Sequence, residues 1–133
     1  MHLGKRTPVD FYNYPTGLEN VTLYIQRNYK NPVIIVTSKG YGTIDERKRN
    51  YPKHLYIKDN ERIEYIQGHI DHLHRAIKSG ANVMGYIVSS FMDSFEWDAG
   101  YVLKYGLIYI DHKNGLKRQK KNSAKWFRRF LWT

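Results

Sequence analysis

The stretch Gly85-Tyr-Ile-Val-Ser-Ser-Phe-Met-Asp-Ser-Phe-Glu-Trp97 decides the reading of this chain. It is strand-like for most of its length and delivers a carboxylate, Glu96, and an indole, Trp97, side by side at its end. An indole presents a broad apolar face to the C–H side of a pyranose and one N–H donor, while a carboxylate accepts two hydroxyl hydrogen bonds at charge-assisted strength. The pair suits a sugar. A Glu-Trp dipeptide alone is far more often a core aromatic beside a surface acid, so the decision passes to the order of elements around it.

Upstream, Thr16-Gly-Leu-Glu19 is a capping-box pattern, and Leu18, Val21, Ile25 and Tyr29 recur at helical spacing, which predicts a helix from about Thr16 to Tyr29. Pro32 and the β-branched run Val33 to Thr37 read as a buried parallel strand ended by Gly40 and Gly42. Tyr41 to Lys58 carries mixed charge without a period and reads as a loop. Asp59 then caps a helix whose Ile63, Ile66, Ile70, Leu73 and Ile77 form one apolar stripe, stopped by Gly80. Val83 to Phe91 is the second strand, Leu107 to Ile110 a short third, and Ser123 to Leu131 a closing helix packed through Phe127 and Leu131. The expected core is a βαβ unit with its two main strands adjacent and parallel.

Specific words recur along this framework. They are Tyr14-Pro-Thr-Gly-Leu18, the strand Pro32 to Gly40, Arg62-Ile-Glu-Tyr65, the Gly85 to Trp97 run, Lys104-Tyr-Gly-Leu107, Tyr109-Ile-Asp111 and Ser123-Ala-Lys-Trp-Phe127. Their order resembles the closing part of glycoside hydrolase family 1, the β-glucosidase family. The spellings Glu96-Trp-Asp-Ala-Gly-Tyr101 and Asp111-His-Lys-Asn-Gly-Leu116 are similar to its plant members. The resemblance implies an α/β fold that is the C-terminal fragment of a (β/α)8 TIM barrel, its last two barrel strands and their helices, as a single partial-barrel domain over residues 1–133. A complete barrel of this kind needs about 250 residues or more, and the chain has 133.

The resemblance also locates departures. Where the family carries its nucleophilic glutamate this chain has Ser38, followed by Lys39 in place of asparagine. The stacking tryptophan of the eighth strand is Ser89, the asparagine before Phe-Glu-Trp is Ser94, and the family's Arg-Phe-Gly is Lys104-Tyr105-Gly106. The Thr-x-Asn-Glu-Pro motif that carries the acid/base glutamate does not occur in these residues. A retaining glycosidase needs two carboxyl groups roughly 5 to 5.5 Å apart, and a serine without a neighbouring base is a poor nucleophile. Asp45 and Glu46 on the following loop are the local acids that could replace one. The expectation is a β-glucosidase-like chain with no catalytic residue, inactive alone, whose Glu96, Trp97, Ser89 and Tyr105 mark a residual site for glucose or a β-glucoside. The alternative is a pseudoenzyme or interaction protein that binds or regulates a full-length β-glucosidase.

Composition narrows the remaining classes. The absence of cysteine excludes disulfide and thiol chemistry. The longest apolar runs, such as Val33-Ile-Ile-Val36, are far below membrane-spanning length. Met1-His-Leu-Gly-Lys-Arg6 has no apolar h-region, so a chain starting at Met1 is expected in the cytoplasm or nucleus. Asn20-Val-Thr22 is a glycosylation sequon inside a predicted helix. The net charge of +10 draws polyanions, and Lys117-Arg-Gln-Lys-Lys121 invites a nucleic-acid or nuclear-targeting reading. A basic last loop and helix is also the family's own pattern, which leaves nucleic acid the weaker partner. His69 and His72 share a helical face without an acid at zinc-motif spacing, and Lys39-Gly-Tyr-Gly42 lacks the length and ending of a phosphate loop. No metal or cofactor is expected. Two barrel strands leave unpaired edges, so self-association or docking on a full-length relative is expected as well.

Overall fold

The computed structural model describes residues 4–9, 11–44 and 54–132. A short antiparallel pair, β1 (Lys5–Arg6) and β2 (Tyr12–Asn13), leads into α1 (Pro15–Asn28). Then follow β3 (Ile34–Lys39), β4 (Thr43–Ile44), α2 (His54–Ile57), α3 (Asn60–Lys78) and β5 (Val83–Val88). After a 3-10 turn at Trp97–Ala99 come β6 (Leu103–Lys104), β7 (Ile108–Asp111), β8 (Lys117–Lys120) and α4 (Asn122–Phe130).

The centre is the expected β3–α3–β5 unit. β3 and β5 run parallel with Ile34 opposite Val83, Val36 opposite Tyr86 and Lys39 opposite Val88. Along β3, Ile34 and Val36 are half-buried while Ile35 and Thr37 are exposed, the alternation of a strand with helices on one face only. The bare face carries Ile35 and Ile87, both 53% exposed, with Gly85 against the Ile35 side chain. On the covered face, Tyr41, Tyr65, Ile66 and Leu107 form a buried cluster, joined by Tyr86 and Val88 of β5, Ile70 of α3 and Trp126 and Phe127 of α4.

Helix ends differ from the sequence reading in instructive ways. Thr16 does not cap α1. Pro15, whose fixed φ suits a first helical position and whose missing N–H costs nothing there, starts the helix a residue earlier with Tyr14 as its uncapped N-terminal flank. Glu19 is thereby released from any capping box and accepts from His72 Nδ1 at 2.6 Å, tying α1 to α3. Asp59 does precede α3 but makes no side-chain cap bond. Its carboxylate is used by the backbone N–H of Ser123 at 2.9 Å, by the Ser123 hydroxyl and by Arg62 Nη1 at 2.7 Å. The loop expected at Tyr41 to Lys58 contains β4 and α2, because β4 finds backbone partners on β6; Asp45 and Glu46 lie outside the described residues. Leu131 is 65% exposed and does not pack, since α4 ends at Phe130 and its apolar stripe meets the core through Trp126 and Phe127. The sequon at Asn20 lies within α1.

Arg62 is the buried tie between halves of the fold. Its side chain is about as inaccessible as Asp59's, and it donates to three backbone carbonyls: Tyr41 at 3.0 Å, Gly106 at 2.8 Å and Lys104 at 2.8 Å. Burial pulls its guanidinium below the usual value, and Asp59 and Asp93 pull back. Removing one partner of such a buried pair costs about 3 to 5 kcal/mol, against a total near 5 to 15 kcal/mol for ordinary domains. Arg62→Ala should therefore abolish cooperative urea unfolding followed by circular dichroism, whereas Lys5→Ala, which removes an exposed ion pair with Glu61, should shift the midpoint little.

His69 supplies a pH dependence. The ring is buried, lies 4.2 Å from the Tyr65 ring centre and donates through Nδ1 to the Tyr65 carbonyl at 2.7 Å. Burial pushes its pKa from 6.5 down to about 4, with Lys39 and His72 acting in the same direction. The unfolded chain then takes up the proton first, so this contribution to stability is fully present above pH 6.5 and is lost as pH falls towards 4. Urea midpoints measured across that window should fall less steeply in His69→Phe, which keeps a ring, than in the parent chain; equal slopes would refute the assignment.

Candidate functional site

The predicted site residues gather at the C-terminal ends of β3 and β5, where parallel strands leave their loops free to carry side chains. Ser38 and Lys39 close β3. The Ser38 hydroxyl position is exposed, while Lys39 turns its ammonium over the Tyr65 ring at 5.4 Å from the centroid. Ser89, one residue past β5, donates its backbone N–H to the Lys39 carbonyl at 3.0 Å, and its hydroxyl lies 3.3 Å from that of Ser90. The Ser89–Ser90 peptide is cis.

Gly40 lets these pieces close up. A Cβ there would lie 2.1 Å from the Ser89 carbonyl oxygen and 3.4 Å from the Tyr105 ring, so any larger residue would push the β3 loop off β5. Tyr105 thus sits beside the Ser38–Gly40 end of β3 and the Ser89 end of β5 at once. Its hydroxyl pKa is raised, first by burial and then by the negative charge of Glu96. Glu96 in turn accepts from the Ser94 hydroxyl at 2.8 Å. Its backbone N–H donates to the Gly100 carbonyl at 2.7 Å, closing the loop around the Trp97–Ala99 turn. Glu96, Ser94 and Tyr105 thus act on one another, while the Ser89 and Ser90 hydroxyls face each other. Trp97 stands apart from them, with φ +50 and 84% of its surface exposed, so its indole faces solvent.

The sequence reading passed over the residue that holds this loop. Asp93 is buried, and its Oδ1 accepts from the Gly106 backbone N–H at 2.9 Å and from Lys121 Nζ at 2.8 Å. A Cβ on Gly106 would come within 2.1 Å of the Asp93 backbone nitrogen, so the Glu96 loop and the Tyr105 loop touch backbone to backbone. Burial, with Arg62 nearby, pushes the Lys121 pKa down to about 8, and Asp93 opposes that shift. The available signal was an acid inside an otherwise apolar strand end, paired with a glycine after Lys104-Tyr105. His69 and His72 go to Tyr65 and Glu19 rather than to each other, and no group of metal-ligating side chains occurs among the described residues. No helix of the structure is long and apolar enough to cross a membrane among those residues.

Comparison with known proteins places the chain in a family. Residues 2–133 match the model of glycosyl hydrolase family 1. The chain is 46% identical over 121 residues to "Beta-glucosidase 26, peroxisomal" of Arabidopsis thaliana, covering 90% of this chain and 22% of that one. Among solved structures it is similar to the rice Os3BGlu6 β-glucosidase, with a TM-score of 0.85 and 33% identity over 94% of this chain and 26% of that one. It is also similar to a family 1 β-glucosidase of the fungus Humicola insolens in complex with glucose, with a TM-score of 0.86 and 28% identity over 96% of this chain and 27% of that one. The chain spans about a fifth of the length of the curated relative and about a quarter of the solved ones. It belongs to glycosyl hydrolase family 1, as a C-terminal fragment of the family's (β/α)8 barrel that carries the last two barrel strands and their helices.

Proposed function

We propose that this chain is a β-glucosidase-like barrel segment that does not hydrolyse glycosides by itself and keeps the remnant of a sugar site. The observation that carries the reading is the end of β3, where Ser38 and Lys39 stand beside Ser89 and Tyr105. With Ser38 at the nucleophile position, the carboxylate of this group among the described residues is Glu96, whose neighbours are Ser94 and Tyr105. A two-carboxylate mechanism assigns separate groups to attack and to proton transfer, and one carboxylate cannot fill both roles across the same bond. Ser38 gains no activation from Lys39, whose ammonium is turned onto the Tyr65 ring. The Humicola insolens relative holds glucose. In the present chain Glu96 would accept from sugar hydroxyls, Tyr105 would flank the ring, and Trp97 would swing from solvent to donate through its indole nitrogen.

The purified chain should therefore give no measurable hydrolysis of aryl β-glucosides, and Ser38→Glu alone should not restore it. A saturable turnover abolished by Ser38→Ala would refute the reading.

Sugar contact is expected to be weak. Ser89 in place of a stacking indole forfeits about 1 kcal/mol beyond lost area, and an exposed Trp97 must be ordered on binding. Glucose titrated against indole and backbone amide shifts should show an affinity no tighter than millimolar, about −4 kcal/mol, and Glu96→Gln should weaken it further. Micromolar binding untouched by Glu96→Gln and Trp97→Ala would place the sugar elsewhere.

The alternative reading, a non-catalytic interaction protein that binds or regulates a full-length β-glucosidase, is favoured by one observation: the bare face of the strand pair, with Ile35 and Ile87 exposed. The two readings are compatible, since a segment without catalysis of its own can still act through what it binds.

A further inference from the structure

Where α3 and α4 pack against each other they leave a cleft that shares no residue with the sugar site. On α3, Gln67, Ile70 and Asp71 lie on one face at spacings of three and four; on α4, Trp126, Arg129 and Phe130 do the same. These six residues line a hollow of about 260 Å³. Pockets for drug-sized ligands hold about 300 to 1,000 Å³, so this one takes a single ring system. The Trp126 and Phe130 rings are nearly parallel, 14° apart in plane with centroids 5.6 Å apart, and Phe130 is 44% exposed, so together they offer a flat aromatic shelf. The polar lining is mixed in sign: α3 brings a carboxylate and a carboxamide on exposed residues, and α4 brings an exposed guanidinium. A ligand that satisfies all of them has a planar ring, an edge that donates N–H to Asp71 and bonds to Gln67, and an anion for Arg129. A nucleobase carried on a phosphate has each of these.

The charge beside the cleft suits more than one phosphate. From His112 to Thr133 the sequence has eight lysines and arginines and no acid. Lys121 is spent inside the fold on Asp93. Every residue of β8, Lys117 to Lys120, is exposed, and so are Lys125, Arg128 and Arg129 of α4, which follows β8 directly. Lys125 and Arg129, four residues apart, form a row beside Trp126 and Phe130. A basic track that leads to an aromatic shelf is how proteins hold single-stranded nucleic acid: the bases of the protein follow the backbone, and a ring stacks on the shelf. The charge run alone left nucleic acid the weaker partner; the cleft is what the structure adds to it.

We propose that the cleft between α3 and α4 holds one base of a single-stranded nucleic acid whose backbone continues along Arg129 and Lys125 towards β8. Asp71 gives the cleft a preference. Its carboxylate accepts from an exocyclic amine, as on cytosine, whereas uracil turns a carbonyl oxygen to the same place. An anionic membrane would also meet the bases, but its acyl chains gain nothing from Asp71 and Gln67, where a base edge gains hydrogen bonds. None of these residues belongs to the ends of β3 and β5, so the sugar reading and this one stand or fall separately.

The test is fluorescence anisotropy of labelled oligocytidylate and oligouridylate of about 12 nucleotides, equal in length and charge, titrated with the 133-residue chain at about 50 mM salt. Oligocytidylate should bind at least about fivefold more tightly, and Asp71→Asn should erase most of that preference. Phe130→Ala should weaken both oligonucleotides about tenfold. Arg129→Ala should weaken both and lower the slope of log affinity against log salt by about 0.7. If Phe130→Ala unfolds the chain, Asp71→Asn, at an exposed position, decides in its place. Equal binding of the two oligonucleotides, a preference untouched by Asp71→Asn, or no binding at this salt would overturn the proposal. So would vesicles of phosphatidylserine and phosphatidylcholine that bind more tightly than either oligonucleotide, which gives the face to a membrane, or cytidine monophosphate that binds as tightly as oligocytidylate, which leaves the strand no role.

Discussion

Everything that positions the site hangs on the buried guanidinium of Arg62. One planar group satisfies the carbonyls of Tyr41, Lys104 and Gly106, which belong to the loops after β3 and around β6, while its fourth contact is the Asp59 carboxylate. A lysine, with a compact ammonium, could not span three carbonyls in fixed directions; the guanidinium fork can. Asp59 extends the tie to the start of α4 through Ser123. Thus α3, the β3 loop, the β6 segment and α4 share one electrostatic knot in a fold whose sheets, among the described residues, are each two strands wide.

A second knot, Asp93 with Lys121, lies close enough that the two influence each other: Arg62 lowers the lysine's proton affinity and Asp93 supports the arginine's charge. Buried ion pairs seldom repay their desolvation in full. Here they fix geometry. Asp93 joins the backbone after β5 to Gly106, and so sets where the Glu96 loop and Tyr105 lie relative to each other. The site is a product of this internal polar framework more than of the apolar cluster beneath it, which touches α3, β5 and α4.

The parts of the fold legible in the sequence were those with a period or a breaker. The Ile63 to Ile77 stripe gave α3, the Val33 to Thr37 run gave β3, and Gly80 marked the end of α3. What was not legible was how polar side chains would be spent. Asp59 and Glu19 both sit where local rules assign them to helix caps, yet each is taken by a partner more than fifty residues distant in sequence, Ser123 and His72. Short strands such as β4 and β6 carry no pattern of their own and exist because their backbones find one another. At the site, the Glu96-Trp97 pair was visible as chemistry, but the positive φ and the solvent exposure of Trp97 were not, since no residue type announces either.

These constraints bear on what a partial barrel can do even before its catalytic residues are considered. A sugar site needs walls on several sides to exclude water and strengthen each polar contact. The ends of β3 and β5 supply one wall: Ser38, Ser89, Tyr105 and Glu96 are held in place by Gly40, Asp93 and the backbone contacts between their loops. One face of the strand pair is bare, with Ile35 and Ile87 exposed. A hydroxyl bound to Glu96 there competes with solvent at full dielectric, where a charge-assisted bond loses most of its advantage. On the proposed reading, a gain in sugar affinity has to come from whatever covers this open side, because the polar groups present face water as they stand.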